Sequence, residues 1–166
     1  LRSFIMKIAI YAIAKNEEKF AERWASCCAD ADYRVVTDTG STDATIEALR
    51  AEGVTVHQAP KELVTPWRFD VARNESLRVL PQDADVCIAL DLDEMLVPGW
   101  RAALEKAWKP TTTLLRYPFV TKWKADGVTP EIISYGFRIH SRHGYYWKYA
   151  IHEIPRPLGK HEETFT

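Results

Sequence analysis

The chain has few of the residues that staple or bend small proteins, with 3 cysteines and 7 glycines among its 166 residues. Cys27 and Cys28 are adjacent, which disfavours an ordinary bridge, and Cys87 sits in an apolar run. A disulfide framework is therefore excluded, and reduced thiols in a cytoplasmic protein are expected. Without any Cys-x-x-Cys pair, a structural zinc site is not expected either. An excess of one charge is also missing: 22 basic side chains face 23 acidic ones, for a net charge of −1. That balance argues against nucleic acid held by a basic surface and against an acidic disordered tail. No apolar run reaches the roughly 18 residues of a membrane span. No apolar stretch with a small-residue cleavage site follows the basic opening residues, so no signal peptide is expected. Phosphate-cradling glycine motifs are absent as well. With neither Gly-x-Gly-x-x-Gly nor Gly-Lys-Ser/Thr, a bound diphosphate would have to be held by side chains and a metal.

What is present is a 46% hydrophobic chain of a length that suits one globular domain, monomeric or homodimeric. The domain is expected over residues 6–158, with Met6 as the natural start, residues 1–5 as an added extension and 159–166 as a solvated tail. Residues 6–97 alternate short apolar runs with helical patterns. Residues 7–14 (KIAIYAIA) are almost continuously apolar, as in a strand covered on both faces. Further strands are predicted at 33–37, 54–58 and 85–90, and helices at 17–30, 43–52 and 68–80. This alternation indicates βαβ units and a mostly parallel sheet. In residues 98–158 one more helix is predicted, with Trp100, Ala103, Leu104, Ala107 and Trp108 on one face. A β-rich segment over 112–152 follows, and 9 of the 19 aromatic residues lie between Tyr117 and Tyr149.

Polar segments follow the strands, where ligands of open parallel sheets bind. Lys15-Asn16-Glu17-Glu18 follows the first, residues 38–43 (DTGSTD) the second, and Asp91-Leu92-Asp93-Glu94 the fourth. In an extended backbone Asp91 and Asp93 point the same way while Leu92 faces the core. Two neighbouring carboxylates favour a shared cation, and hard oxygen ligands suit Mg²⁺ or Mn²⁺. A solvated strand end is the plainer account. Helix capping explains Thr42 and Asp43 but leaves Asp38 free to accept hydrogen bonds from a base or ribose. Arg73 falls on the apolar stripe of its helix and needs an anion, which is either a structural Asp38 or Asp70 or a ligand diphosphate. His152-Glu153 closes the aromatic segment and offers a metal ligand and a general base. His57, His140, His143 and His161 lack such a context. The aromatic face of Tyr145, Trp147 and Tyr149 reads as sheet core before sugar platform.

The loop at 15–18, the DTGSTD stretch, Ala72-Arg73-Asn74 and Asp91-Leu92-Asp93-Glu94 together resemble family 2 glycosyltransferases of the GT-A fold. His152-Glu153, after an aromatic stretch carrying Arg138 and Arg142, is similar to the branch containing bacterial lipopolysaccharide β-glucosyltransferases. The resemblance spans residues 7–153. It implies an α/β, Rossmann-like, mixed and mostly parallel sheet flanked by helices, with a β-rich aromatic C-terminal part. Residues 6–97 would then be the nucleotide-binding half and 98–158 the acceptor side. The implied activity is inverting transfer of a sugar from a nucleotide-diphosphate donor, with UDP-sugar preferred, to a saccharide or other acceptor. The implied donor site comprises Asn16, Glu17, Asp38, Ser41, Arg73, Asp91 and Leu92. Asp91, Asp93 and His152 would hold Mn²⁺ or Mg²⁺, and Glu153, or failing it Asp126, would be the general base. A non-catalytic nucleotide-sugar or glycan-binding module is the second reading, since 13 residues follow Glu153. A haloacid-dehalogenase-like phosphatase, whose fold also ends a strand in Asp-x-Asp, is the third.

Overall fold

The computed structural model describes residues 6–159. The extension expected at 1–5, residues 160–166 of the expected tail and His161 lie outside them. The first strand, β1 (Ile8–Ala14), is buried along its whole length. After it come α1 (Ala21–Cys27), β2 (Tyr33–Asp38), α2 (Thr45–Ala51), β3 (Thr55–Gln58), α3 (Phe69–Arg78) and β4 (Val86–Ala89). The second half holds α4 (Trp100–Ala107), β5 (Leu114–Trp123), β6 (Pro130–Ser141), β7 (Tyr145–Lys148) and β8 (Ile154–Pro157). The helix expected from residue 17 begins at Ala21, after a single 3-10 turn at Glu18–Phe20. At that turn the backbone N–H groups of Glu17 and Glu18 donate to Thr45 Oγ1 and Asp43 Oδ2, which ties it to the start of α2.

A six-stranded sheet runs in the order β3-β2-β1-β4-β6-β5, and β7 pairs with β8 in a small second sheet. The strands β1 to β4 are parallel, whereas β6 joins β4 and β5 joins β6 antiparallel. The architecture is thus the expected α/β one with a mixed, mostly parallel sheet. Alternation divides the core. Ile8, Ile10, Ala12, Val86 and Ile88 pack on one side with Trp24, Leu49 and Leu104 from α1, α2 and α4. Ala9, Tyr11, Cys87 and Ala89 pack on the other side with Leu77 and Trp147. The order reverses between β1 and β4, and a crevice at such a switch point is where open sheets take ligands.

A buried polar chain ties the two halves together. Trp147 Nε1 donates to the Tyr11 hydroxyl (2.8 Å), which meets His140 Nε2 (2.8 Å), while His140 Nδ1 lies 2.8 Å from the Ser141 carbonyl. A carbonyl only accepts, so Nδ1 carries the proton, Nε2 accepts, and Tyr11 donates to it. Only a neutral His140 satisfies every member. Burial pushes this imidazole down to about 4 from 6.5, with Arg142 adding to the effect and the Ser141 bond opposing it.

The unfolded chain therefore binds a proton that the folded chain refuses between those two values. The stabilisation is complete above pH 6.5 and is lost as pH falls toward 4, a change of about 3 kcal/mol. Urea unfolding from pH 7 down to 4.5 should show this loss. His140→Gln should flatten it, and equal slopes for the two proteins would remove His140 as its source.

Candidate functional site

Arg73, on the buried face of α3, is 3% exposed. A guanidinium so buried needs anions, and neither expected structural partner supplies them. Asp70 is engaged by Arg68 at 2.7 Å. Asp38, 1% exposed, serves its own loop, as its Oδ2 accepts the N–H groups of Gly40 (2.9 Å) and Ser41 (3.1 Å). Gly40 has φ +106°, a backbone region open to glycine at little cost. Arg73 instead meets Asp91 Oδ1 through Nη2 at 2.6 Å, and its Nε donates to Glu153 Oε1 at 3.1 Å. The third nitrogen, Nη1, is buried with no hydrogen-bond partner.

Asp91 is held on both sides. Its Oδ2 accepts from Arg138 Nη1 at 2.9 Å, and Arg138 also donates through Nη2 to Glu94 Oε1 at 2.7 Å. The backbone is closed in step: Asp91 N–H donates to Glu94 Oε2 and Glu94 N–H to the Asp91 carbonyl, each at 3.0 Å. The extended Asp91–Asp93 geometry expected from sequence is therefore replaced by a turn beyond β4. Leu92 packs fully into the core, so its side chain is closed to any ligand. Burial alone would raise the Asp91 carboxyl, but Arg73 and Arg138 outweigh it and hold the group below its ordinary value. Glu17 shifts the opposite way. Burial, with the charges of Asp93 and Asp91 behind it, raises its carboxyl, and its Oε2 is buried without a partner.

The C-terminal segment is fastened to α3. Asn74 brackets Trp147, donating through Nδ2 to its carbonyl and accepting its N–H, both at 2.8 Å. Phe69 N–H donates to the Ala150 carbonyl at 3.1 Å. Between and just after these ties the backbone takes left-handed conformations at Tyr149 (φ 81°) and His152 (φ 58°), unusual for residues with side chains. Glu153 is thereby delivered to Arg73, while His152 is exposed. Tyr145 and Trp147 are core residues, and Trp147 lies 5.3 Å beneath the Arg73 guanidinium. Asp126 occupies the β5–β6 turn, where its carboxylate takes the N–H groups of Val128 and Thr129.

Among the described residues no group of three or more His, Cys, Asp or Glu side chains is placed to hold a metal ion. The expected set of Asp91, Asp93 and His152 does not assemble, since both Asp91 oxygens are committed to arginines. Asp93 is exposed, and its carbonyl accepts from Arg23 Nη2 at 2.8 Å.

A cavity of about 560 Å³ opens over the ends of β1, β2 and β3. Lys15, Thr39, Gly40, Lys61 and Trp67 line it. Its neighbour Asn16 (φ 57°) stitches two loops, giving its N–H to Ser41 Oγ and taking the Thr42 N–H on Oδ1. Lys61 and Trp67 escape notice in the sequence because their loop has no periodicity. Asn74, Arg138 and Glu94 stand inside quoted motifs, but nothing in the sequence reveals their pairings.

Strand order and the flanking helices make an α/β fold that matches the GT-A fold of enzymes of known structure. Among solved structures, the chain is similar to glucosyl-3-phosphoglycerate synthase from Mycobacterium tuberculosis in complex with Mn²⁺, UDP and phosphoglyceric acid. That match has a TM-score of 0.54 and 23% identity, over 66% of this chain and 42% of the other. The same synthase with UDP alone matches over 82% of this chain and 57% of the other, with a TM-score of 0.61 and 21% identity. Mannosyl-3-phosphoglycerate synthase from Rubrobacter xylanophilus matches at a TM-score of 0.53 and 15% identity, over 66% of this chain and 39% of that one. The chain thus spans about half the length of these enzymes or less. No family model matches the sequence, and no curated protein does.

The Arg73 pairings carry a stability consequence. Arg73→Met strips Glu153 of its cation and leaves Asp91 with Arg138 alone, at a cost of about 3 kcal/mol. Adding Glu153→Gln to that variant should restore part of the loss. Urea denaturation of both variants measures the coupling, and additive losses would contradict it.

Proposed function

We propose that the chain is the donor-binding and catalytic core of a metal-dependent glycosyltransferase that moves a sugar from a UDP-sugar to a hydroxyl acceptor. The observation that carries the proposal is the rim itself. Asp91 is fixed by two arginines, the exposed Asp93 stands two residues on, and a cavity with two lysines and an exposed tryptophan opens over the ends of β1, β2 and β3. The similar glucosyl-3-phosphoglycerate synthase was solved with UDP and with Mn²⁺ or Mg²⁺, which supports this ligand chemistry. The motifs resembling family 2 and its lipopolysaccharide β-glucosyltransferase branch support the finer assignment and an inverting outcome.

The residues fit a cation that comes with its substrate. Mg²⁺ and Mn²⁺ on nucleotide diphosphates keep several waters and take one or two carboxylates besides the phosphates. Asp93 supplies such a carboxylate without any cage of protein ligands, and Asp91 stands behind it. When bound, the cation supplies Lewis-acid stabilisation to the departing diphosphate. This chain's residues do the rest. Trp67 offers a ring for the base, and Lys15 and Lys61 supply positive charge to the phosphates. Asp38, Asn16 and Ser41 hold the loop under the nucleoside in one shape. Arg73 fixes Glu153, whose carboxylate takes the proton from the acceptor hydroxyl as it attacks.

The phosphatase reading requires a free nucleophilic aspartate, and Asp91 has both oxygens on arginines. A non-catalytic nucleotide-sugar or glycan-binding module is the second reading. It differs by binding donor without turnover when acceptors are supplied.

Calorimetry with UDP and Mn²⁺ is the test. Asp93→Ala should weaken UDP at least tenfold with Mn²⁺ and leave the weak binding in EDTA no weaker than before, whereas Trp67→Ala should weaken both. Failure of UDP to bind under any condition, or an Asp93→Ala protein with unaltered Mn²⁺-dependent affinity, would overturn the reading.

A further inference from the structure

Gly136 of β6 has none of the left-handed backbone that accounts for Gly40 and Gly99, so its dihedral angles would admit a side chain. Space would not. A Cβ at this position would lie 2.5 Å from the Tyr117 hydroxyl oxygen and 2.7 Å from Tyr117 Cε2, and closer still to Cζ. Tyr117 opposes Gly136 directly across the two strands, and its ring fills the notch left by the missing side chain.

The pair adjoins the bulge that carries Arg138. Leu115 opposes Ile139 and Tyr117 opposes Gly136, so Phe137 and Arg138 of β6 stand opposite the single Arg116. A bulge re-aims the side chains it carries. β6 also parts from β4 here, since Ile88–Ile139 is the last pair the two strands make before Arg138. Arg138 then grips Asp91 Oδ2 and Glu94 Oε1. Tyr117 packs against the core, and its hydroxyl lies within electrostatic reach of that cluster. Burial raises the phenol above its ordinary value, Arg138 opposes the rise, and Glu94 and Asp91 add to it.

We propose that Tyr117 is a positioning residue of the site: its ring, seated in the notch at Gly136, holds the β6 bulge in the shape that brings Arg138 to Asp91 and Glu94. Arg138 and Glu94 in turn close the turn that carries Asp93. Tyr117 touches no substrate and acts only through Arg138. The effect on a cation-bound nucleotide rests on the glycosyltransferase reading, whereas the seating of Tyr117 and its coupling to Arg138 do not.

Calorimetry with UDP and urea unfolding test it together. Tyr117→Ala should lower UDP affinity in Mn²⁺ about fivefold and leave binding in EDTA no weaker. Tyr117→Phe keeps the ring and should restore the native affinity. Gly136→Ala should act like Tyr117→Ala, because its methyl expels the ring, and should add nothing to Tyr117→Ala in the double variant. A residue that only filled the core would lower the unfolding midpoint and leave the Mn²⁺-dependent affinity untouched. In urea, the midpoint shifts of Gly136→Ala and of Arg138→Met should each be smaller in the Tyr117→Ala background than in the native one. Tyr117→Phe as damaging as Tyr117→Ala, Gly136→Ala with native Mn²⁺-dependent affinity, or additive shifts of Tyr117→Ala and Arg138→Met would overturn the proposal. A chain that never binds UDP removes the glycosyltransferase reading alone, and the urea shifts then decide the proposal by themselves.

Discussion

The site depends on the burial of one positive charge. Arg73 sits where the apolar stripe of α3 meets the sheet, and its guanidinium leaves water almost entirely. Such a group is tolerated only with anions in good geometry, and the chain supplies them from distant places. Asp91 comes from the turn after β4, and Glu153 from the segment after β7. Neutralising Arg73 therefore fixes the distance between the end of the central sheet and the C-terminal segment. Arg138 extends the arrangement to β6, gripping Asp91 and Glu94 together. Four parts of the chain thus meet because their charges have no better partner.

A second buried polar chain makes the two halves one body. Trp147 belongs to β7, Tyr11 to β1 and His140 to β6, and each needs the next for its hydrogen bond. An unmade bond in that setting leaves a desolvated group unsatisfied, so register errors at β6 or β7 are penalised heavily. Asn74 repeats the principle at shorter range, treating the Trp147 backbone as a strand partner would. The aromatic segment that differs so sharply in composition from the parallel half is therefore clamped onto it.

This division explains what the sequence reveals. The central strands β1 and β4 are readable because both their faces are buried, so KIAIYAIA has no polar interruption to mislead. Leu92 is readable for the same reason. The Asp91–Glu94 turn is not, since its shape comes from Glu94 answering both the Asp91 N–H and a guanidinium 44 residues away. Asp38 stands out in the sequence as unexplained by capping, and its oxygens close the loop through Gly40 and Ser41. The partners of Arg73 likewise follow from topology rather than from local spacing. Tyr149 breaks the aromatic alternation after Trp147 because its backbone turns left-handed to deliver Glu153, a demand made by a residue elsewhere in the fold.

The near-zero net charge conceals a local imbalance that bears on the proposed chemistry. Glu17, Asp91, Asp93 and Glu94 crowd one rim, and the Glu17 carboxyl is raised by burial first and by the two aspartates after it. The two arginines of the cluster are spent on Asp91, Glu94 and Glu153. Asp93 is left with its carboxylate in solvent and a negative field behind it. A bare diphosphate approaching that rim meets repulsion from the carboxylates, whereas one carrying a divalent cation offers them a ligand of the right sign and hardness. The lysines of the cavity act on the rest of the phosphate charge. On this reading the rim discriminates by charge state before it discriminates by sugar, admitting the metal-bound nucleotide and disfavouring the free one.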